Sequence, residues 1–153
     1  MSSPIKLRAD DADDLKIIAA CLQDCIVPIA EICYLPEQAQ FLMVVNRFKW
    51  EAAALESGTS GSRYERTNCA VSISGVTQVR RRKVDLLERG RVLNLLTILS
   101  DAEGLELVFA GDSVIQLVAP HWRCFIHDLG DPWPTGAVPC HPIEDGDGKA
   151  GKN

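Results

Sequence analysis

An α+β fold is predicted for this chain: a mostly antiparallel, curled sheet or small barrel of about seven or eight strands, covered by one N-terminal amphipathic helix. Three observations predict it. A stretch near the N-terminus carries helical spacing, the run Phe41–Glu51 (FLMVVNRFKWE) is strand-like and free of Gly and Pro, and the last third alternates short apolar runs with turn residues. A pleckstrin-homology-like roll is one version of this element order.

Taken in order, Ile5–Arg8 alternates apolar and basic residues and reads as a lead-in strand. Asp10 offers an N-cap with Asp13 three residues on, and Asp11, Asp13 and Asp14 suit the positive end of a helix dipole. Leu15, Ile18, Leu22 and Cys25 follow helical spacing, so a helix is expected over Asp11–Asp24. In Cys25–Leu35 the composition turns β-branched, and Pro28 makes it an edge strand or two short strands with a kink. Pro36-Glu37-Gln38 is a turn that closes a hairpin with the next run.

That next run, Phe41–Glu51, reads as the central strand. Leu42, Val44, Asn46, Phe48 and Trp50 form one parity, apolar along nearly its whole length. Phe41, Met43, Val45, Arg47 and Lys49 form the other, which starts apolar and ends cationic. The second parity is therefore expected to leave the core and meet solvent at Arg47 and Lys49, with Asn46 as the odd polar residue on the apolar face.

Ala52–Ser62 is small, polar and Gly-rich and reads as a loop. Arg63–Ser74 alternates as a half-buried strand, Gly75 marks a turn, and Val76–Lys83 is a further strand ending in Arg80-Arg81-Arg82-Lys83. Val84–Gly90 is a short helical turn or a loop. Val92–Ser100 is nearly all apolar and reads as a buried strand, although its length and flanks also admit a helix. Leu105–Ala110, Val114–Ala119 and Trp122–Leu129 complete an antiparallel meander. Residues 1–135 are expected to form a single globular domain, and 136–153 a Pro/Gly-rich polar tail that is disordered.

With 153 residues, 46% apolar and 24% charged, the chain is long enough for a sizeable core. The formal net charge of −5 disfavours binding to nucleic acid or anionic membrane through the whole surface. No segment approaches the ~20 apolar residues of a membrane span. The N-terminus lacks a signal peptide's apolar stretch and carries Asp10, Asp11, Asp13 and Asp14 close behind it. A cytoplasmic location is expected, with the six cysteines as reduced thiols.

Three pieces in this order, LRADDADDLKIIAACLQDCIVPI, YLPEQAQFLMVVNRFKWE and HDLGDPWPT, resemble a family of small bacterial proteins grouped as domain of unknown function number 2948. The resemblance spans Leu7–Thr135 and is most specific over Phe41–Glu51 and Asp128–Thr135. It implies a bacterial cytosolic protein and brings no activity, cofactor or catalytic residue with it.

Candidate chemistry is sparse. His121, Cys124 and His127, with Cys140-His141 beyond, supply ligand types for zinc, but i and i+3 on a strand point to opposite faces and there is no CxxC pair. No metal and no cofactor are expected. Cys21, Cys25 and Cys69 sit at apolar positions and read as small hydrophobes rather than nucleophiles. Arg80, Arg81, Arg82 and Lys83 read as a solvated strand end that discourages edge pairing in preference to a contact for an anion or RNA. Trp133, locked between Pro132 and Pro134, reads as a clasp over the core in preference to an interface contact.

The functional expectation is a non-catalytic cytosolic binding or accessory module with a protein partner or self-association. The alternatives are a small-ligand protein or enzyme with a pocket on the sheet, using Asn46, Arg47 or a histidine, and an anion or RNA contact through Arg80–Lys83. The candidate binding residues are Asn46, Arg47, Lys49, Arg80, Arg81, Arg82, Lys83 and Trp133.

Overall fold

The computed structural model of the protein describes residues 4–48 and 66–130. Lys49, Trp50, the loop expected after them, Trp133 and the expected tail lie outside the described residues. Strands β1 (Lys6–Ala9), β2 (Ile26–Pro28), β3 (Ile32–Leu35), β4 (Gln40–Phe48) and β5 (Arg66–Ser74) occupy the first half with helix α1 (Ala12–Cys21). The second half holds β6 (Gln78–Arg82), β7 (Val92–Asp101), β8 (Gly104–Phe109), β9 (Ser113–Val118) and β10 (Arg123–Gly130). The α+β class with an antiparallel sheet is as the sequence predicts. The strand number is ten rather than seven or eight, because the lead-in segment and both halves of the Pro28-broken run all pair.

Helix α1 starts one residue later than its aspartates suggest. Asp11 is the N-cap, extended at φ −142°, and its carboxylate accepts from the Asp14 amide at 2.9 Å. The helix also ends earlier, at Cys21, because Asp24 takes a left-handed φ of 64° and donates its amide to the Leu95 carbonyl at 2.8 Å. Leu15 and Ile18 face the core, and Leu22 follows them inward past the last turn.

Pro28 ends β2 as expected, and a 3-10 turn over Ile29–Glu31 leads into β3. The turn at Pro36–Gln38 closes on Ala39, left-handed at φ 53°, and delivers the β3–β4 hairpin. β2 and β3 therefore lie end to end along one edge of β4: β3 meets Gln40–Met43 and β2 meets Asn46. β5 pairs the other edge of β4 from Gln40 to Phe48. The central placement of β4 is thus as predicted.

The expectation that Arg47 meets solvent is overturned. Phe41, Met43, Val45 and Arg47 are the buried parity, each at most 2% exposed, and Arg47 is fully buried. Leu42, Val44, Asn46 and Phe48 are the half-buried parity. Arg47 does not leave the core, because the Asp128 carboxylate meets it there.

The ladder runs β1-β10-β5-β4-β2-β7-β8-β9-β6, with β3 off this path on β4. Its end strands β1 and β6 are not paired with each other, so the sheet is neither closed nor strongly curled, and the expected small barrel or pleckstrin-homology-like roll is not formed. Closure requires pairing between the end strands. Here one end strand has four residues and the other is the arginine-rich segment. The three-residue β2 is the seam between two wings, which share one core containing Phe41 and Ile126 from one wing and Leu107 and Ile115 from the other.

β7 is a strand, but it is buried on one face only. Leu93, Leu95 and Ile98 point inward, whereas Val92, Leu96 and Leu99 are 43–55% exposed. A register shift between Leu95 and Thr97 resets the alternation and leaves Leu96 outside. Gly104 opens β8 at φ +148°, where a Cβ would lie 2.1 Å from the Leu117 carbonyl oxygen, so the β7–β8 turn admits no side chain there. Val84–Gly90 forms turns rather than a helix, pinned by buried Val84 and Leu86.

Candidate functional site

Two places on this frame hold the predicted site residues, and they differ in kind. The first is inside the sheet. Arg47 on β4 extends across β5 and meets Asp128 on β10: Nε donates to Oδ1 at 2.8 Å and Nη2 to Oδ2 at 2.7 Å. Two strand spacings, roughly 9–10 Å, separate β4 from β10, so only a long side chain bridges them. Nη1 also donates to the Phe48 carbonyl at 3.3 Å. Asp128 Oδ2 accepts a further bond from the Ile5 amide at 3.0 Å, while the Asp128 amide donates to the Ile5 carbonyl at 2.9 Å.

Burial by itself would raise the Asp128 pKa. Hydrogen bonds from Arg47 and the Ile5 amide, the Arg47 charge and the Cys69 thiol outweigh it, and the carboxyl is held below its ordinary value. The pair is ionised and bidentate, the strong geometry for arginine and carboxylate. Its neighbour Cys69 is pushed the other way, to about 12, chiefly by burial and then by the Asp128 charge. Burial likewise raises Cys25 and Cys124 to about 12. Thiols of this kind are protonated at neutral pH and do not act as nucleophiles.

Asn46 and Arg47 are not brought together. They alternate across β4, so Asn46 sits on the half-buried outer face while Arg47 enters the core. The Asn46 amide nitrogen donates to Asn68 Oδ1 at 3.3 Å, and its side-chain oxygen accepts from Arg66 Nε. Arg66 also donates to the Asn46 carbonyl at 3.0 Å. Both residues of the pair once expected to mark a pocket have structural partners.

The second place is the β6 edge. Arg80 and Arg82 are exposed and stand opposite Gln116 and Val114 of β9. Arg81 has the other parity, opposite Ile115, and its Nη1 donates to the Val84 carbonyl at 3.0 Å. Lys83 belongs to the turn rather than the strand: φ is 59°, its carbonyl accepts from Ser113 Oγ at 2.8 Å, and its amine lies 4.0 Å from Asp112. Arg80, Arg81 and Arg82, with Glu106, Val114 and Gln116, line a shallow open depression of ≈ 250 Å³.

The histidines and Cys124 do not converge: Cys124 is buried, and His121 and His127 are exposed. Among the described residues no three His, Cys, Asp or Glu side chains are placed to share a metal ion. Lys49, Trp133, Cys140 and His141 lie outside the described residues.

Asp128 is the residue that sequence reasoning missed. Its signal was present in the alternation of β10, where Cys124, Ile126 and Asp128 share the inward parity. A strand whose inward face ends in a carboxylate, in a chain with another whose apolar parity ends in arginine, is the pattern of a buried pair.

The fold is an α+β protein with one N-terminal helix and an open ten-stranded antiparallel sheet, and its only described buried charges are paired to each other. The chain belongs to the family described as protein of unknown function (DUF2948), whose model matches residues 5–141. No curated protein and no solved structure matches the chain. No helix among the described residues is long and apolar enough to cross a membrane.

Proposed function

We propose that the protein is a cytosolic, non-catalytic binding or accessory module whose contacts are made through its sheet. The observation that carries this reading is the mutual satisfaction of Arg47 and Asp128. The buried ionisable groups that could have formed a reactive centre neutralise each other in a closed, bidentate pair. Burial raises the thiols of Cys25, Cys69 and Cys124, so none of these three is an activated nucleophile.

The surface supports the same reading. Cavities that enclose a small ligand usually measure ~300–1,000 Å³, and the depression beside β6 is smaller and open. Val92, Leu96 and Leu99 expose an apolar row on β7, and the β6 cations are accessible. These are features of a surface that meets another macromolecule.

The test is to incubate the protein with a fractionated metabolite extract and follow every component by mass spectrometry. No protein-dependent turnover is expected. Consumption of one compound, abolished by heat denaturation of the protein, would overturn the reading in favour of an enzyme.

A further inference from the structure

The β6 strand ends the ladder and has β9 as its only described neighbour, so one side of its backbone carries N–H and C=O groups that the described sheet does not use. Nine arginines fall among the described residues. Seven of them meet a carboxylate, a carbonyl or a side-chain amide oxygen on another segment or a neighbouring turn. The other two are Arg80 and Arg82. Arg80 has a 3.4 Å contact with Gln78 on its own strand, and Arg82 has no hydrogen bond or ion pair among the described residues. Carboxylates are not scarce in this chain, with 21 Asp and Glu against 16 Lys and Arg. The two guanidiniums are left over on one strand, at positions two apart, pointing to the same side.

We propose that the β6 edge takes up an acidic, extended segment of a partner protein as an additional strand, with carboxylates at alternate residues paired to Arg80 and Arg82. This deepens the binding-module reading and rests on it. The spacing fits: positions i and i+2 on a strand lie roughly 6.6–6.8 Å apart, and the same repeat separates same-face side chains on a strand docked beside it. Main-chain bonds along a free edge supply affinity, and alternate side chains supply selectivity.

Two other occupants fit less well. A second copy joined through the same edge would bring arginines against arginines, which like-charge repulsion opposes. A single-stranded nucleic acid would find no aromatic side chain on the depression's lining for a base to stack on.

The experiment uses the full chain and eight-residue fluorescent peptides. One alternates Glu with Val, one alternates Lys with Val, one has the Glu peptide's composition scrambled, and one is the Glu peptide with N-methylated amides on its pairing side. Oligouridylate is the nucleic-acid probe. Binding is read by anisotropy. The alternating Glu peptide is expected to bind. Arg80→Glu/Arg82→Glu is expected to weaken it by about tenfold or more and to bind the Lys peptide instead. That charge reversal also demonstrates that the variant is folded. N-methylation is expected to abolish binding. Three results would each overturn the proposal: no binding of the Glu peptide, binding indifferent to N-methylation or to the charge reversal, or tighter binding of oligouridylate dependent on the same arginines. Metabolite turnover bears on the non-catalytic reading alone, so the two failures are distinguishable.

Discussion

Arg47 on β4 holds Asp128 on β10 across the intervening strand β5, through two charge-assisted bonds of 2.8 and 2.7 Å between residues 81 apart in sequence. The guanidinium is fully buried, and the carboxylate also takes the Ile5 amide. One pair therefore fixes the register of β4, β5 and β10 and anchors the approach to β1.

Removing one partner strands the other charge in the core. Arg47→Met or Asp128→Leu is expected to cost about 3–5 kcal/mol in urea denaturation. The double variant is expected to recover much of that loss, because two apolar side chains leave no uncompensated charge. Single-variant losses below about 1 kcal/mol, in the range of a surface pair, would show that water reaches the site.

The lowered Asp128 pKa sets a direction for pH dependence. A carboxyl that is more acidic when folded contributes fully above its unfolded value, about 3.9, and that contribution is lost as pH falls through the folded value. The stability gap between wild type and Asp128→Asn is expected to be widest near neutral pH and to narrow below about pH 4. A gap that stays constant into acid would mean that the carboxyl titrates alike in both states.

Cys25, Cys69 and Cys124 are buried, and burial raises all three to about 12. Iodoacetamide labelling at neutral pH, followed by peptide mass spectrometry, is expected to modify them only at the rate of unfolding. Labelling of Cys69 ahead of Cys25 and Cys124 would reveal local opening around the Arg47–Asp128 pair.

How much of this was legible in the sequence depends on how far apart the interacting residues are. The β3–β4 hairpin was readable because Pro36 and its neighbours specify the turn locally. β4 itself was readable because nothing in Phe41–Phe48 interrupts a strand. The face of β4 that turns inward was not, since the sign of Arg47's environment is set by Asp128 on β10, far away in sequence. The open ladder was not readable either, because β2 joins β4 to β7 through non-local pairs that no turn residue announces. β7 misled for a different reason: outward Val92, Leu96 and Leu99 are as apolar as inward Leu93, Leu95 and Ile98, so the run reads as buried on both faces. At the candidate site, the cationic run was evident, but only the ladder shows that it is an end strand and that Arg80 and Arg82 are left over while Arg81 and Lys83 have other roles.

The lead-in at Ile5 and the start of β1 are held by Asp128 and by β10, residues 123 apart in sequence. Synthesis on the ribosome therefore yields the beginning of this domain long before its partner. Until β10 has emerged, β5 has an open outer edge, Arg47 has no counter-ion, and the first strand has nothing to pair with. Folding of the first wing is thus deferred until β10 has been made, and a chain cut short before Asp128 leaves Arg47 without its counter-ion.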